Sequence, residues 1–426
     1  MYRLSHELAD MGWRVISTTT TVIRPPSPEQ SSVLVVEADS GECLNQVRSA
    51  LSQGNPITVA SAHLAAENKL RGIPPELVPA LAQLADAVIV EADGARGRSV
   101  KAPAEHEPVM PFGLDALVPV AGIDAVGREL GEETAHRAGL VASLTGSAIG
   151  DIISPALLAR LLVHPKGALK NAPAGVPVVP LINKVHQEAD LTAAREVAAQ
   201  IKSDSRISRV LIAAVAATDP VVECWRRVSA VVLAAGPAKR FGSPKQLLPI
   251  SGTTMIEHVL HVVRATSVHE IVVVLGHAAD QIADRVPSWC RIALNEGWQQ
   301  GMSSSIRAGL EAMDRSAEAA LFVLADQPQV TSEQIEHILR AYYGSIKPIV
   351  APFHDGQRGT PVLFDHDMFS ALRSLRGDEG GKQLIAQCAD QVLPVQLTCP
   401  DVFLDIDTPA DYERFLSAME QRGPNP

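Results

Sequence analysis

A short apolar run at residues 228–235 breaks directly into a glycine turn carrying two cations, and this stretch, VSAVVLAAGPAKRFGSPK (228–245), limits the fold more than any other. A run so short and so rich in β-branched side chains reads as a buried strand. Gly236-Pro237-Ala238 follows with Lys239 and Arg240, then Gly242-Ser243-Pro244-Lys245. Such a loop suits a triphosphate, because backbone N–H groups approach oxygens only where no Cβ intrudes, and Lys or Arg neutralises the charge. It is neither the GxGxxG dinucleotide fingerprint nor the GxxxxGK[ST] P-loop.

The same strand-then-helix rhythm runs through the chain and predicts an α/β protein with parallel sheets covered on both faces. At 426 residues the chain exceeds one ordinary domain. In the first half, residues 1–10 read as a helix with Leu4, Leu8 and Met11 on one face. Strands are expected at 13–17 (ending in the run Thr18-Thr19-Thr20-Thr21), 32–38, 177–182 and 210–216. Residues 81–90 read as a helix end and a strand, and 191–201 as a helix. A helix ahead of the first strand implies that a further strand and loop precede it. The seam falls at 222–227, giving domains 1–225 and 226–426. The second half reads as helices at 253–265 and 331–343, strands at 270–276, 291–295, 319–325 and 402–406, and extended segments at 348–352 and 360–364. A helix opens at Gly301-Met302-Ser303-Ser304-Ser305, and residues 377–382 form a charged turn.

A net charge of −11 argues against a broad nucleic-acid or anionic-membrane surface. Five scattered cysteines, none spaced as CxxC, fit a reduced, cytoplasmic protein rather than a disulfide scaffold or zinc knuckle. No apolar run is long enough to span a bilayer.

The glycine loop, Asp326 and Asp407 are all expected at the carboxyl ends of strands, the edge where open α/β sheets bind ligands. Two carboxylates with Lys245 and Arg240 describe a magnesium–nucleotide site, since Mg²⁺ takes few protein oxygens and completes its octahedron with phosphate and water. The serines after Gly301 offer hydroxyls and free N–H groups to an anion or a ribose. Each feature also has an ordinary structural explanation: strand-end aspartates cap turns, serines cap helices, and an arginine in a glycine loop is solvated. Their co-occurrence at one edge favours the site.

Taken together, these motifs resemble the MobA-like nucleotidyltransferase superfamily, and within it the molybdenum cofactor cytidylyltransferases. The resemblance rests on the Leu233-to-Lys245 loop, Asn295 with Gly301-Met302-Ser303-Ser304-Ser305, and Leu324-Ala325-Asp326-Gln327-Pro328. It continues through Arg358-Gly359-Thr360-Pro361-Val362-Leu363-Phe364, Gly377-Asp378-Glu379-Gly380 and Asp405-Ile406-Asp407-Thr408-Pro409. Two Rossmann-like three-layer α/β/α domains are expected, the second with a nucleotide-diphospho-sugar-transferase-like fold. The implied reaction joins CMP from CTP to molybdenum-molybdopterin with release of pyrophosphate. By resemblance Asp326 and Asp407 hold Mg²⁺, and Arg240 and Lys245 offset phosphate charge. Leu233, Ala234, Ala235, Gly236 and Gly242 form the nucleotide loop, with Asn295 and Ser303 beside it. Arg358 and Pro361 border the pterin or its phosphate. Ala235 matches the cytidine-type LAAG loop rather than LAGG. The family's loop serine is Ala238 here, and Pro237 offers no N–H.

Residues 91–108, EADGARGRSVKAPAEHEP, resemble the YqeC-like accessory family of selenium-dependent molybdenum hydroxylases, as do the threonine run and Asn183-Lys184. The resemblance implies a P-loop-like domain, but the glycine-rich Lys-Thr loop expected ahead of Met1 is absent: either the chain starts after it or the domain has lost its main phosphate cradle. The Asn-Lys-x-Asp pattern ends in His186, and a neutral imidazole does not accept two base N–H groups as a carboxylate does. Asp93 is either a magnesium ligand or a turn residue, and His106 is read as structural or exposed. An apo molybdenum hydroxylase is the implied partner. Two rival functions stand beside this one: a cofactor carrier without turnover, and cytidylyl transfer to another phosphorylated small molecule.

Overall fold

A computed structural model of the protein describes residues 1–237, 241–378, 380–397 and 404–422. The chain forms two compact units, Met1–Val222 and Glu223–Pro426. The boundary falls within the strand Val221–Trp225, so Glu223, Cys224 and Trp225 go with the second unit.

In the first unit, four parallel strands lie in the order Val33–Val36, Ile57–Ala60, Val15–Thr19, Ala87–Glu91. Helix Ser40–Gln53, whose first turn is capped by the Asp39 carboxylate accepting from the Glu42 N–H, buries Cys43, Val47 and Ala50 against Ile16, Ile57 and Val59. A second sheet runs Val210–Ala213, Leu181–Asn183, Val120–Gly122, also in parallel. The described strands of this unit fall into these two sheets and two smaller ones, Ala135–His136 with Val100–Lys101 and Val22–Ile23 with Lys69–Arg71 and Ala62–Leu64, rather than one sheet. The first helix, Tyr2–Asp10, does not bury its expected face: Leu4 and Met11 are exposed. Its contact residue is Ser5, fully buried with its hydroxyl 2.6 Å from that of Ser17. A small polar residue brings this helix against the strand, so the apolar periodicity misleads.

The second unit is a three-layer mixed sheet. Its order is Arg291–Leu294, Glu270–Leu275, Val228–Ala234, Ala319–Leu324, Val362–Asp365, Ile349–His354. The first four strands are parallel, and Val362–Asp365 turns antiparallel to Ala319–Leu324. On one face Val231, Val272 and Val274 pack with Ile306 and Leu310 of helix Met302–Ala312 and with Leu372 and Leu384. The alternate residues Ala230, Val232, Ile271 and Val273 are equally buried and belong to the other face. Helix Met302–Ala312 approaches this closely because position 309 is glycine: a Cβ there would lie 2.4 Å from Val231 Cγ1. Helices Met255–Arg264 and Ser332–Tyr343 start on capping boxes, Thr254 with Glu257 and Thr331 with Gln334.

Two expectations need correction, and one strand was not expected. Gly380–Gln387 is a helix, so the charged turn ends earlier than expected. Val392–Gln396, which went unread, pairs in parallel with Ile349–His354; Pro394 within it argues against a strand from sequence. The expected strand at 402–406 is absent over Leu404, Asp405 and Ile406, while Val402 and Phe403 lie outside the described residues. Among the described residues no helix is long and apolar enough to cross a membrane.

Candidate active site

Strand Val228–Ala234 ends beside Ala319–Leu324, and the Ala325 N–H donates to Leu233 O at 3.2 Å. Asp326 therefore emerges one residue beyond the sheet, next to the start of the glycine loop. The chain returns to this edge at Ile406, whose N–H donates to Asp326 O at 3.0 Å. That backbone bond brings Asp407 to the site without a strand.

Lys245 joins these pieces. Its residue is buried, and its ammonium donates to Asp326 Oδ2 at 2.6 Å, Asp407 Oδ1 at 3.0 Å and Ile406 O at 3.1 Å. An ammonium has three hydrogens, and three acceptors surround this one. Burial alone would lower the Lys245 pKa; the Asp326 charge and the hydrogen bonds to Asp326 and Asp407 outweigh it and raise it. Lys245 thus meets a triphosphate only by exchanging one of these partners. Asp405 adds a third negative group. Shielding of its carboxyl raises its pKa, the charge of Asp326 and then of Asp407 adds to this, and a hydrogen bond from Gln327 opposes it. Two carboxylates already sharing one cation, in surplus negative charge, are a donor set that fits a hard divalent ion held mainly by phosphate and water.

The nucleotide loop is pinned from behind. Gln246, also buried, donates its amide to Ala234 O at 3.1 Å and Gly236 O at 3.3 Å. Ala235 is buried and its carbonyl accepts from the His277 N–H at 3.0 Å, while Gly236 is exposed at the edge. Gly242 takes a left-handed φ of 69°. Arg240, with Ala238 and Lys239, lies outside the described residues.

Asn295 and Ser303 are both buried and turned into the protein. The Asn295 amide donates to the hydroxyls of Ser304 (2.8 Å) and Ser305 (3.0 Å), and the Ser303 hydroxyl has no partner among the described residues. Asn295 thus organises the serine-rich turn from inside rather than offering its side chain outward. Arg358 donates to Lys382 O at 3.5 Å, and burial lowers its pKa. Pro361 is buried after a cis peptide bond with Thr360. Three residues of the site carry no expectation from sequence: Asp405 and Gln327, which lie inside recognised motifs, and Gln246, which directly follows one. The signal available was a polar residue beside each recognised one.

In the first unit, the acidic block is internally paired. Lys101 contacts Asp93 and lies 2.9 Å from Glu107, which also accepts two bonds from Arg137 at 2.7 and 3.1 Å. Burial raises Asp93 against the pull of Lys101; burial also acts upward on Glu107, but Arg137, Lys101 and the Ala104 N–H bring it down to about 2. The hydroxyls of Thr18, Thr19 and Thr20 are spent on the carbonyls of Val59, Glu91 and Val109. Lys184 donates to Ser99 Oγ at 2.7 Å and Asp124 Oδ2 at 2.9 Å, and His106 is exposed.

The sheet order, the glycine loop and the lysine-bridged carboxylates define a nucleotidyltransferase. The family of MobA-like NTP transferase domains matches residues 230–392, and the YqeC protein family matches residues 1–139. The chain belongs to both families, YqeC in its first part and the MobA-like NTP transferases in its second. Uncharacterized protein YqeC of Escherichia coli K12 is 33% identical over 190 residues, covering 44% of this chain and 72% of that protein. Nicotine blue oxidoreductase of Paenarthrobacter nicotinovorans is 31% identical over 197 residues, covering 44% of this chain and 96% of that protein. Among solved structures, the homologue of Mycobacterium tuberculosis Rv0371c from Mycobacterium sp. strain JC1 is 33% identical, covering 46% of this chain and 98% of that one with a TM-score of 0.42.

Proposed function

We propose that the second unit transfers CMP from CTP to molybdenum-molybdopterin, forming molybdopterin cytosine dinucleotide and pyrophosphate. The observation that carries this reading is the Lys245 ammonium held between Asp326 and Asp407 beside the Ala234-Ala235-Gly236 loop. An oxygen of the pterin's terminal phosphate forms a bond to the α-phosphorus of CTP, and the bond from that phosphorus to the α,β-bridging oxygen breaks, its electron pair leaving with pyrophosphate. Positioning and charge neutralisation supply most of the rate. Asp326 and Asp407 would hold a divalent cation, Mg²⁺ in this reading, which supplies Lewis-acid stabilisation of phosphate charge. Lys245 holds the two carboxylates in place and offsets charge as pyrophosphate departs. Arg240, a cation of the glycine-loop sequence, offsets charge on the triphosphate and the departing pyrophosphate. The backbone at Leu233, Ala234, Ala235, Gly236 and Gly242 receives the nucleotide, Asn295 and Ser303 shape the neighbouring helix start, and Arg358 with Pro361 borders the acceptor.

The domains divide near residue 225, and the first acts as an accessory unit in delivering the finished cofactor to an apo molybdenum hydroxylase in the cytoplasm. The relative called nicotine blue oxidoreductase favours a second reading, an oxidoreduction on the same scaffold. The deciding experiment offers molybdenum-molybdopterin and Mg²⁺ with CTP, and separately a reduced nicotinamide cofactor with a quinonoid dye. Pyrophosphate from CTP supports nucleotidyl transfer. Cofactor oxidation without pyrophosphate supports the second reading instead.

A further inference from the structure

We propose that Gln327 is a positioning residue that couples the carboxylate segment 405–407 to the strand entry at Thr360-Pro361. This deepens the reading above and rests on Asp326 and Asp407 as ligands of a divalent cation.

Gln327 follows Asp326 directly, yet is only 4% exposed, and both ends of its side-chain amide are in use. Its Nε2 donates to Asp405 Oδ1 at 2.7 Å, and its Oε1 accepts from the Thr360 hydroxyl. The partners come from far along the chain, 33 and 78 residues away. One of them, Asp405, lies two residues before Asp407. The intervening Ile406 is gripped on both sides, its N–H by Asp326 O and its carbonyl by Lys245. The other partner, Thr360, leads through Pro361 into Val362–Asp365, the strand antiparallel to Ala319–Leu324, just beyond which Asp326 stands. Segment 405–407 has no strand partner to hold it. Among the contacts that hold it are the Ile406 backbone bonds, the burial of the Ile406 side chain against Ile250 and Met255, the Asp407 N–H donating to Asp411 Oδ2 at 3.2 Å, the Lys245 contacts and the Gln327 amide. Of these, only Gln327 also reaches the expected acceptor side. A glutamine is required because one end must donate to a carboxylate while the other accepts from a hydroxyl.

The test measures Mn²⁺ binding to the full chain by the electron paramagnetic resonance of the free ion, with no nucleotide added. Gln327→Met keeps size and charge but removes both hydrogen bonds. It is expected to raise the Mn²⁺ dissociation constant by about tenfold or more, the range seen when outer-shell partners of ligands are lost. Thr360→Val is expected to weaken binding in the wild-type background and to add nothing in the Gln327→Met background, because it acts through Gln327. A residue that merely fills space would lower the melting temperature and leave the Mn²⁺ affinity unmoved. Wild-type affinity in Gln327→Met, additive effects of the two changes, or no Mn²⁺ binding by the wild type each overturn the proposal. Should Gln327→Met not fold, Thr360→Val alone decides: unchanged affinity overturns it. Pyrophosphate release plays no part here, so failure of CTP as substrate would be seen separately.

Discussion

The Lys245 ammonium lies 2.6 Å from Asp326 Oδ2 and 3.0 Å from Asp407 Oδ1, so one buried cation holds together two carboxylates 81 residues apart. Removing it leaves negative charge facing negative charge. Lys245→Met is therefore expected to lower the stability of the second unit by about 1–2 kcal/mol in chelator, less than for breaking a fully buried ion pair because Asp407 is half exposed. Added Mg²⁺ should recover part of the loss and raise the melting temperature of the variant more than that of the wild type. Calorimetry with and without Mg²⁺ reads both; equal responses would contradict the role given to Lys245.

Asp326→Asn removes the charge shared by Lys245 and the expected metal while keeping shape and one hydrogen-bonding oxygen. Turnover should fall about 10³-fold or more, on the scale of lost electrostatic stabilisation at a transferring phosphoryl group. The circular dichroism spectrum should stay that of the wild type. Near-normal pyrophosphate release would remove Asp326 from the mechanism.

Gly301 sits at φ 94° and ψ −179°, a region nearly closed to other residues. A Cβ there would come 2.4 Å from Asp378 Oδ1 and 2.5 Å from the backbone of Gly377, whose carbonyl accepts the Ser303 N–H. Backbone cannot step aside as a flexible side chain can. Gly301→Ala should cost roughly 2–4 kcal/mol in a urea titration, combining strain with the clash.

Glu107 carries the clearest pH signature. Its carboxyl falls from an ordinary 4.5 to about 2 in the folded chain, with Arg137 and Lys101 overcoming burial. A lowered folded pKa contributes stability that is present above the unfolded value and lost as pH falls through the folded one. The first unit should thus lose stability from this group as the pH falls from about 4.5 toward 2. Glu107→Gln should be destabilised at neutral pH and flatter across that window. A variant with the wild-type slope would assign the acid sensitivity elsewhere.

The parts of this site carried by short motifs are legible in the sequence. The glycine loop announces itself by small residues after an apolar run, and Asp326 by its place after a strand. Asp407 is identified correctly as a neighbour but for the wrong reason, since a backbone bond from Ile406 to Asp326 brings it there rather than a strand. The Gln327–Asp405–Thr360 connection is invisible beforehand, because side chains so distant in sequence have no local pattern that pairs them. In the first unit, Ser5 rather than Leu4 makes the helix contact, a packing choice that hydrophobic periodicity does not encode. Pro394 hides a strand whose partner sits about forty residues earlier.

Pyrophosphate release with molybdenum-molybdopterin and Mg²⁺, compared across CTP, GTP and ATP, tests the central claim most directly. The account predicts release with CTP well above that with the purine nucleotides, and loss of that release in Asp326→Asn. No pyrophosphate with CTP, or a preference for GTP, would contradict it.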